Sequence, residues 1–467
     1  MSRLGSGRED DLGMRTMYFR ICLICLFCLF GTSAMADPPG LQDLYRQALK
    51  QNPDFAAAQA ALEAGKEHKN IGRAELLPNI SMTLEASPTH FEQSVKSMDQ
   101  NQNVIGTQSA NYNYNSQIGQ LRLTQPLFDL ERFAAYRVGE TQTDLAKAVF
   151  VEARQKIILQ VAEAYFNYLL ALDNLDLARS EKKAVAAQEV QVAYQFKIGV
   201  ATLTDVEETK ARHQLTEARE LTALNTLAIK HKELEKIIGP ISPEKLLGVG
   251  SFPLNRPEPD DMKVWIDAAR KQNLQVQIQQ HKVRLAEYKR DQAIAGYYPR
   301  LNLTASLQKS NDPNYYADRD ETYKVGVQLN WPLYEGGRVS ASSRQTASLR
   351  DQAKHELEAS VRASEILVSQ AFLGIVNGIA LITAFKQAVK SGEITVQGME
   401  AGQRAGLRTN TDVLNAQKQL FEIRRDLQRE RYSYLFNMLS LKASTGSLAE
   451  DTIEAIDTMV KQGRVRN

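Results

Sequence analysis

The sequence predicts an α+β membrane protein: four antiparallel transmembrane strands set among very long coiled-coil helices. Three observations predict it. Two tracts without proline, 127–239 and 333–467, carry heptad-spaced apolar residues; four short segments alternate apolar with polar residues; and the whole pattern occurs twice.

The helices come first. A proline inside a helix costs about 3 kcal/mol, so tracts that lack one are free to be helical. Helices are expected over about 130–197 and 337–404, followed by 204–238 and 411–445, and each half opens on a helix, 41–76 and 260–297. A helix over 130–197 is a rod of roughly 100 Å, longer than a globular core can hold. Its apolar residues Ile157, Val161, Ala164, Tyr168, Ala171, Leu175 and Ala178 step by four and three, the spacing of a coiled-coil seam. Val368, Ala371, Ile375, Gly378, Ile382, Phe385 and Val389 repeat it, and Ile158, Tyr165, Leu169 and Leu172 make a second stripe. Two seams let a helix touch two neighbours, as a closed ring of helices requires. The same spacing also fits an ordinary two- or three-stranded coiled coil.

The strands lie between the helices. In 80–86, Ile80, Met82, Leu84 and Ala86 oppose Ser81, Thr83 and Glu85; in 301–307, Leu301, Leu303, Ala305 and Leu307 oppose Asn302, Thr304 and Ser306. In 323–333 the apolar series runs from Tyr323 through Val325, Val327 and Leu329 to Trp331, while 117–127 slips phase near Gly119 before settling on Leu121 and Leu123. Such strands suit a barrel with lipid outside and water inside, and Tyr112, Tyr114, Tyr297, Tyr298, Tyr323 and Trp331 suit interfacial girdles. A soluble sheet with one wet face has the same period. Four strands cannot close a barrel, so the membrane reading requires oligomerisation. Pro78, Pro126, Pro299 and Pro332 are expected at the strand–helix transitions, since a residue before proline is pushed out of helical geometry. Pro78 to Pro126 spans 48 positions against 33 for Pro299 to Pro332, so the first external loop is the longer, and its Asn/Gln-rich stretch 88–116 is expected to face outside.

The repeat sets the domain plan. KQNPDF (50–55) parallels KQNLQV (271–276), and TQPLFD (124–129) parallels NWPLYE (330–335). From Val161 to Gly239 the halves register without a gap, at the offset of Gly199 to Gly406. The divisions expected are a first repeat at 37–239, a Pro-rich linker at 240–259, a second repeat at 260–446 and a C-terminal segment at 447–467.

Residues 1–36 read as a cleaved signal peptide: Arg15 and Arg20 precede the apolar run 21–30, and AMA (34–36) precedes a cut at Asp37. The acids before Met14 point to a true start at Met14 or Met17. Cys22, Cys25 and Cys28 are the whole cysteine content, so the mature chain has no thiol chemistry, and Phe27 before Cys28 argues against a lipoprotein. A net charge of +2 gives no basic face for nucleic acid. Mean hydropathy of −0.37 excludes a polytopic helical membrane protein, and no segment after the signal offers an unbroken apolar run long enough for a spanning helix. The six histidines form no metal-ligand spacing, no nucleophile–base pair is in view, and no enzyme activity or cofactor is expected.

ALKQNP (48–53), QPLFD (125–129), AEAYFNYLLA (162–171), FKIGVATLTDV (196–206), WPLYEGGRV (331–339) and AGQRAGLRTNTDVLNA (401–416), in that order and duplicated, make the chain resemble the TolC family of outer-membrane channel proteins over essentially its whole mature length. The resemblance implies a homotrimer, with a 12-stranded β-barrel in the outer-membrane lipid continuous with a periplasmic α-helical barrel. It implies a passive exit duct for small toxic molecules or unfolded proteins, engaged by a periplasmic adaptor (membrane fusion) protein and an inner-membrane transporter of ABC, RND or MFS type.

The resemblance also assigns sites. Thr204, Asp205 and Arg408 match residues that hold the periplasmic tip closed; an exposed Arg–Asp link is worth only about 0–1 kcal/mol, but three copies can bias an equilibrium. TDVE (204–207) is equally a helix-capping box. Gln403 stands where the family has a tyrosine partner of the gate aspartate, and Tyr194 where it has a glutamine. Asp412 matches one acidic ring of the constriction, and Asn415 replaces the other, which implies weaker cation selectivity. Gly199, Val200, Thr202, Gly406, Leu407 and Thr409 match the tip that meets the adaptor; the glycines also serve turn geometry. The alternative is a periplasmic coiled-coil adaptor or structural protein without its own pore. Paired amphipathic strands argue against it, and detergent extraction from the outer membrane discriminates the two.

Overall fold

A computed structural model describes residues 39–98, 100, 102, 104–240, 246, 249–250, 252–311 and 320–465. The expected signal segment and its cysteines lie outside the described residues. In chain order the elements are α1 (Leu41–Gln51), α2 (Pro53–Ala74), β1 (Asn79–Met98), β2 (Val104–Phe128), α3 (Leu130–Lys197), α4 (Leu203–Ile238), α5 (Met262–Gln272), α6 (Leu274–Ala295), β3 (Arg300–Ser310), β4 (Asp320–Asn330), α7 (Arg338–Arg404), α8 (Asn410–Ser444) and α9 (Glu450–Val465).

The single opening helix expected in each half is two helices, and the break has one cause in both. Asn52 caps α2, its Oδ1 accepting from Phe55 N at 2.9 Å, while its Nδ2 donates to the Ile237 carbonyl at 2.9 Å. Asn273 caps α6 through Gln275 N and Val276 N, and donates to the Ser444 carbonyl at 2.8 Å. Each buried asparagine thus ends one helix, starts the next and ties the end of α4 or α8 to the break. The KQN phrase shared by the halves carries this clamp.

The sheet has the order β1-β2-β3-β4, all antiparallel. Cross-strand partners share a face. Ile80 and Met82 pair with Leu123 and Leu121, which pair with Ala305 and Leu307, which pair with Val325 and Tyr323. One face is therefore an apolar band across four strands, and Val325 on it is 79% exposed. The other presents Ser81, Thr83, Arg122, Gln120, Ser306, Gln308, Lys324 and Thr322. Trp331 and Tyr297 sit at the helix end, the indole donating to the Tyr297 carbonyl at 3.2 Å.

Two strand expectations change. Residues 88–98 and 104–116 are strand, not loop: β1 and β2 stay paired from Asn79↔Thr124 to Ser97↔Gly106. Ser, Asn and Gln have low strand propensity, so cross-strand pairs such as His90–Asn113 (2.6 Å) and stacked Phe91–Tyr112 are invisible in a local reading. Pro78 and Pro299 immediately precede β1 and β3, and Pro332 follows β4, but Pro126 lies inside β2 at a register shift; the change to helix falls at Asp129, the N-cap of α3.

The expected seams of α3 are buried from Ile157 through Leu175 and at Ile158, Tyr165 and Leu169, while their ends at Ala178 and Leu172 are half-buried. α3 packs on α2, α4, α6 and α8; α7 packs on α5, α6 and α8. The core lies at mid-height, where Tyr45, Val161, Leu169, Leu234, Val368, Ile375 and Leu435 meet. α9 docks there against α1, with Leu41 N donating to Asp457 Oδ1 at 2.7 Å. The Pro-rich linker is strapped to α8: Phe252 stacks on Tyr434, whose hydroxyl donates to the Asn255 carbonyl at 2.8 Å.

No later segment is an unbroken apolar run, yet an 18-residue window of α7, interrupted by polar residues, reaches a mean hydropathy of 1.9. The physical reason is double-sided packing. Val368, Ala371, Ile375 and Ile382 fill the core, while Ile366, Leu367 and Leu373 stay about half exposed on the flank that no described helix covers.

Candidate functional site

The site is the pair of turns joining α3 to α4 and α7 to α8. Both turns are built alike. Gly199 (φ +77) and Gly406 (φ +71) supply the left-handed residue. Val200 N bonds the Gln195 carbonyl and Gly199 N the Phe196 carbonyl; Leu407 N bonds Gly402 and Gly406 N bonds Gln403. These are the paired bonds of a Schellman helix end. The next helix starts at once with a capping box, Thr202 with Asp205 and Thr409 with Asp412. A glycine helix stop followed by a threonine–aspartate helix start explains why GxxT and the aspartate recur in both halves.

The expected site residues separate into distinct environments. The Asp205 carboxylate accepts from the Thr202 hydroxyl (2.7 Å) and amide (2.9 Å), which hold it below the usual aspartate range. Asp412 is lowered in the same way, by the Thr409 amide first and then its hydroxyl. Arg408 is exposed, lies along Gly402, and forms no ion pair with Asp205 within the chain. Tyr194 and Thr204 are exposed. Val200 and Leu407 occupy the position that usually packs back on its own helix, yet are 72% and 80% exposed. Asn415 Oδ1 accepts from Arg212 Nη2 at 3.2 Å, so it tethers α8 to α4.

Of the expected latch, only Gln403 brings its side chain into a buried network, which Asp205 joins through its carbonyl. Gln188 donates to Asn410 Oδ1 at 2.7 Å and to Gln403 Oε1 at 3.2 Å; Asn410 Nδ2 donates to Thr209 Oγ1 at 2.6 Å; and Thr209 donates to the Asp205 carbonyl at 2.7 Å. Gln188, Thr209 and Asn410 are all buried. One contiguous polar chain thus joins α3, α4, α7 and α8 at the tip. Sequence reasoning missed it because Gln188 and Thr209 lie outside the shared phrases and Asn410, inside 401–416, reads only as part of the turn. The available signal was a break in the repeat: Asn410 and Thr209 stand where the other half has Leu203 and Ala416. Among the described residues no group of three or more His, Cys, Asp or Glu is placed to hold a metal.

A four-stranded sheet with one lipid-suited face and one polar face, continued by two helical hairpins of roughly 100 Å, defines a class: ducts that cross an outer membrane and extend far beneath it. The chain belongs to the outer membrane efflux protein family, which it matches over residues 44–240 and 265–447. It is 33% identical over 422 residues to the alkaline protease secretion protein AprF of Pseudomonas aeruginosa, covering 89% of this chain and 86% of that one. It is 30% identical over 447 residues to the outer membrane protein TolC of Escherichia coli (92% and 87% covered), and 30% identical over 442 residues to the proteases secretion protein PrtF of Dickeya chrysanthemi (94% of each). Its fold matches the outer membrane protein VceC of Vibrio cholerae, TM-score 0.72 at 18% identity over 87% of this chain and 96% of that one. It also matches the CmeC channel of Campylobacter jejuni, TM-score 0.73 at 15% identity over 90% and 89%. The protein is a TolC-family outer-membrane channel, an exit duct of the kind used in efflux and type I secretion, and not an enzyme.

Proposed function

We infer that three copies of this chain close into one duct, opened from the periplasmic side by partner proteins. The observation that carries this reading is that both flanks of the chain are open. β1 and β4 are edge strands; α7 exposes Ile366, Leu367 and Ile394 on one flank, and α4 exposes Leu215, Leu221 and Ile229. Unpaired edges and apolar helix flanks call for neighbours. Two copies would give eight strands, an interior that side chains fill; three give twelve and leave a bore. Cross-linking of detergent-extracted protein is expected to show a trimer, and the trimer is expected to conduct ions in planar bilayers. A non-conducting monomer would overturn the reading.

The repeats at 37–239 and 260–446, the linker at 240–259 and the C-terminal segment at 447–467 are supported by the recurrence of helix, helix, strand, strand, long helix and hairpin helix in each half. Cleavage before Asp37 and the absence of a lipid anchor rest on the signal pattern alone. The exposed Val200 and Leu407, set by Gly199, Gly406, Thr202 and Thr409, are a docking tip for the helical hairpin of a periplasmic adaptor, which couples the duct to an inner-membrane transporter of ABC, RND or MFS type. The identity to AprF and PrtF favours protein export by type I secretion among its duties.

Tyr194, Thr204, Asp205, Gln403 and Arg408 form the gate region, with Arg408 free to reach a neighbouring copy. Asp412 and Asn415 mark the constriction. Asn415→Asp is expected to strengthen block by a trivalent cation in planar bilayers, though less than a free carboxylate would, because Arg212 lies within hydrogen-bond reach. Unchanged block would remove Asn415 from the pore.

The acid dependence has a definite sign. The Asp412 pKa is depressed in the folded chain, so its capping contribution is complete above the unfolded value and lost as pH falls through the folded one. Cation selectivity is expected to hold from about pH 7 to about pH 5 and to decline only below the usual aspartate range. A decline centred near neutrality would assign selectivity to another group.

A further inference from the structure

β3 last pairs with β2 at Ile118↔Ser310, but β1 and β2 continue together from Ala86↔Gln117 to Ser97↔Gly106 with no register shift. Without a shift, each residue series keeps its side of the hairpin. The chemistry of the two sides nevertheless exchanges. In the four-stranded region the even-numbered residues of β1 (Ile80, Met82, Leu84) belong to the apolar band, and the odd ones (Ser81, Thr83, Glu85) to the polar face. Beyond Ala86 the even series becomes polar, with His90, Glu92 and Lys96 opposite Asn113, Asn111 and Thr107. The odd series now holds Phe91 and Val95, and Tyr112 and Tyr114 share its face. The Phe91 and Tyr112 rings lie 6.5 Å apart, and Phe91 and Val95 remain 45% and 51% exposed.

A polar outer face suits a hairpin that has left the lipid. An aromatic face turned toward a water-filled mouth suits nothing unless it is covered, and a two-stranded hairpin is marginal without a third partner. The extension from Ala86 to Ser97 spans roughly 35 Å at the usual rise per residue, against a bore radius of roughly 12 Å for twelve tilted strands. It is long enough to reach the axis.

We propose that the three β1–β2 hairpins of the assembled channel lean over its outer mouth and pack their Phe91–Tyr112–Tyr114 faces against one another. The occupant of each aromatic face is the same face of another copy, and the cluster restricts the outer end of the duct to bulky solutes. The proposal rests on the trimeric reading above, and it continues the same barrel closure outward.

The test uses the full chain with Cys22, Cys25 and Cys28 replaced by alanine. Under copper-phenanthroline oxidation of intact cells, Val95→Cys is expected to cross-link between copies and Lys96→Cys, on the opposite face, is not. In a Ser81→Cys channel, labelling of the bore from outside by a bulky PEG-maleimide is expected to rise roughly tenfold when Phe91, Tyr112 and Tyr114 are all alanine, the change that loss of about 1.4 kcal/mol of aromatic packing gives. Trimer formation is read separately by chemical cross-linking of the unsubstituted chain. Loss of the trimer there overturns the trimeric reading. An intact trimer in which Val95→Cys cross-links no better than Lys96→Cys, with labelling unchanged, overturns this one.

Discussion

Asn410→Leu is expected to unlatch the periplasmic tip and raise the open fraction of single channels in planar bilayers by about tenfold or more. Asn410 accepts from Gln188 and donates to Thr209 in a buried chain that joins all four tip helices. Removing it takes from buried Gln188 its shorter hydrogen bond, leaving the one to Gln403, and takes from the Thr209 hydroxyl its donor. Each hydrogen bond lost is worth about 0.5–1.5 kcal/mol, and the loss falls on the closed arrangement, because an opened tip gives both groups water. Asn410→Asp makes the argument sharper. It keeps the acceptor for Gln188 but loses the donor to Thr209, whose own proton is committed to the Asp205 carbonyl. An intermediate opening is therefore expected from it. Unchanged conductance in both variants, with trimers intact, would move the latch elsewhere.

The second large effect is expected at the sheet. Val325 lies midway along β4 on the apolar band, and the adjacent Lys324 is on the polar face. An arginine facing lipid at mid-depth costs about 2–4 kcal/mol in a membrane barrel, and a trimer meets that cost three times. Val325→Arg is expected to remove the protein from the outer-membrane fraction, while Lys324→Ala leaves its level near that of the parent. If both variants insert equally, the face that meets lipid has been misassigned.

What sequence alone reveals here depends on the range of the interaction. α3 begins at Leu130 and ends at Lys197 as expected, because Asp129, the missing prolines and Gly199 are local signals. The capping box expected at TDVE (204–207) lies two residues earlier, at Thr202 and Asp205, and its twin at Thr409 and Asp412 emerged only from the structure. The helix breaks at Asn52 and Asn273 were not legible, since half of each asparagine's reason for being there is a carbonyl far along the chain. The extended hairpin was hidden because its order comes from cross-strand pairing among residues that individually favour loops. The tip network was hidden because a buried glutamine and a surface glutamine look the same until four helices are brought together.

The asparagine clamps at Ile237 and Ser444 have a mechanical consequence. They hold the far ends of α4 and α8, so motion of either hairpin is rotation of a lever about a fixed fulcrum. A helix the length of α4 makes an arm of roughly 54 Å. A turn of only about 10° at the fulcrum would carry the tip about 9 Å, the scale of a hinge motion that needs no helix to melt. A small force applied at Val200 or Leu407 would then suffice, because at the end of such an arm it exerts a large torque about the clamp.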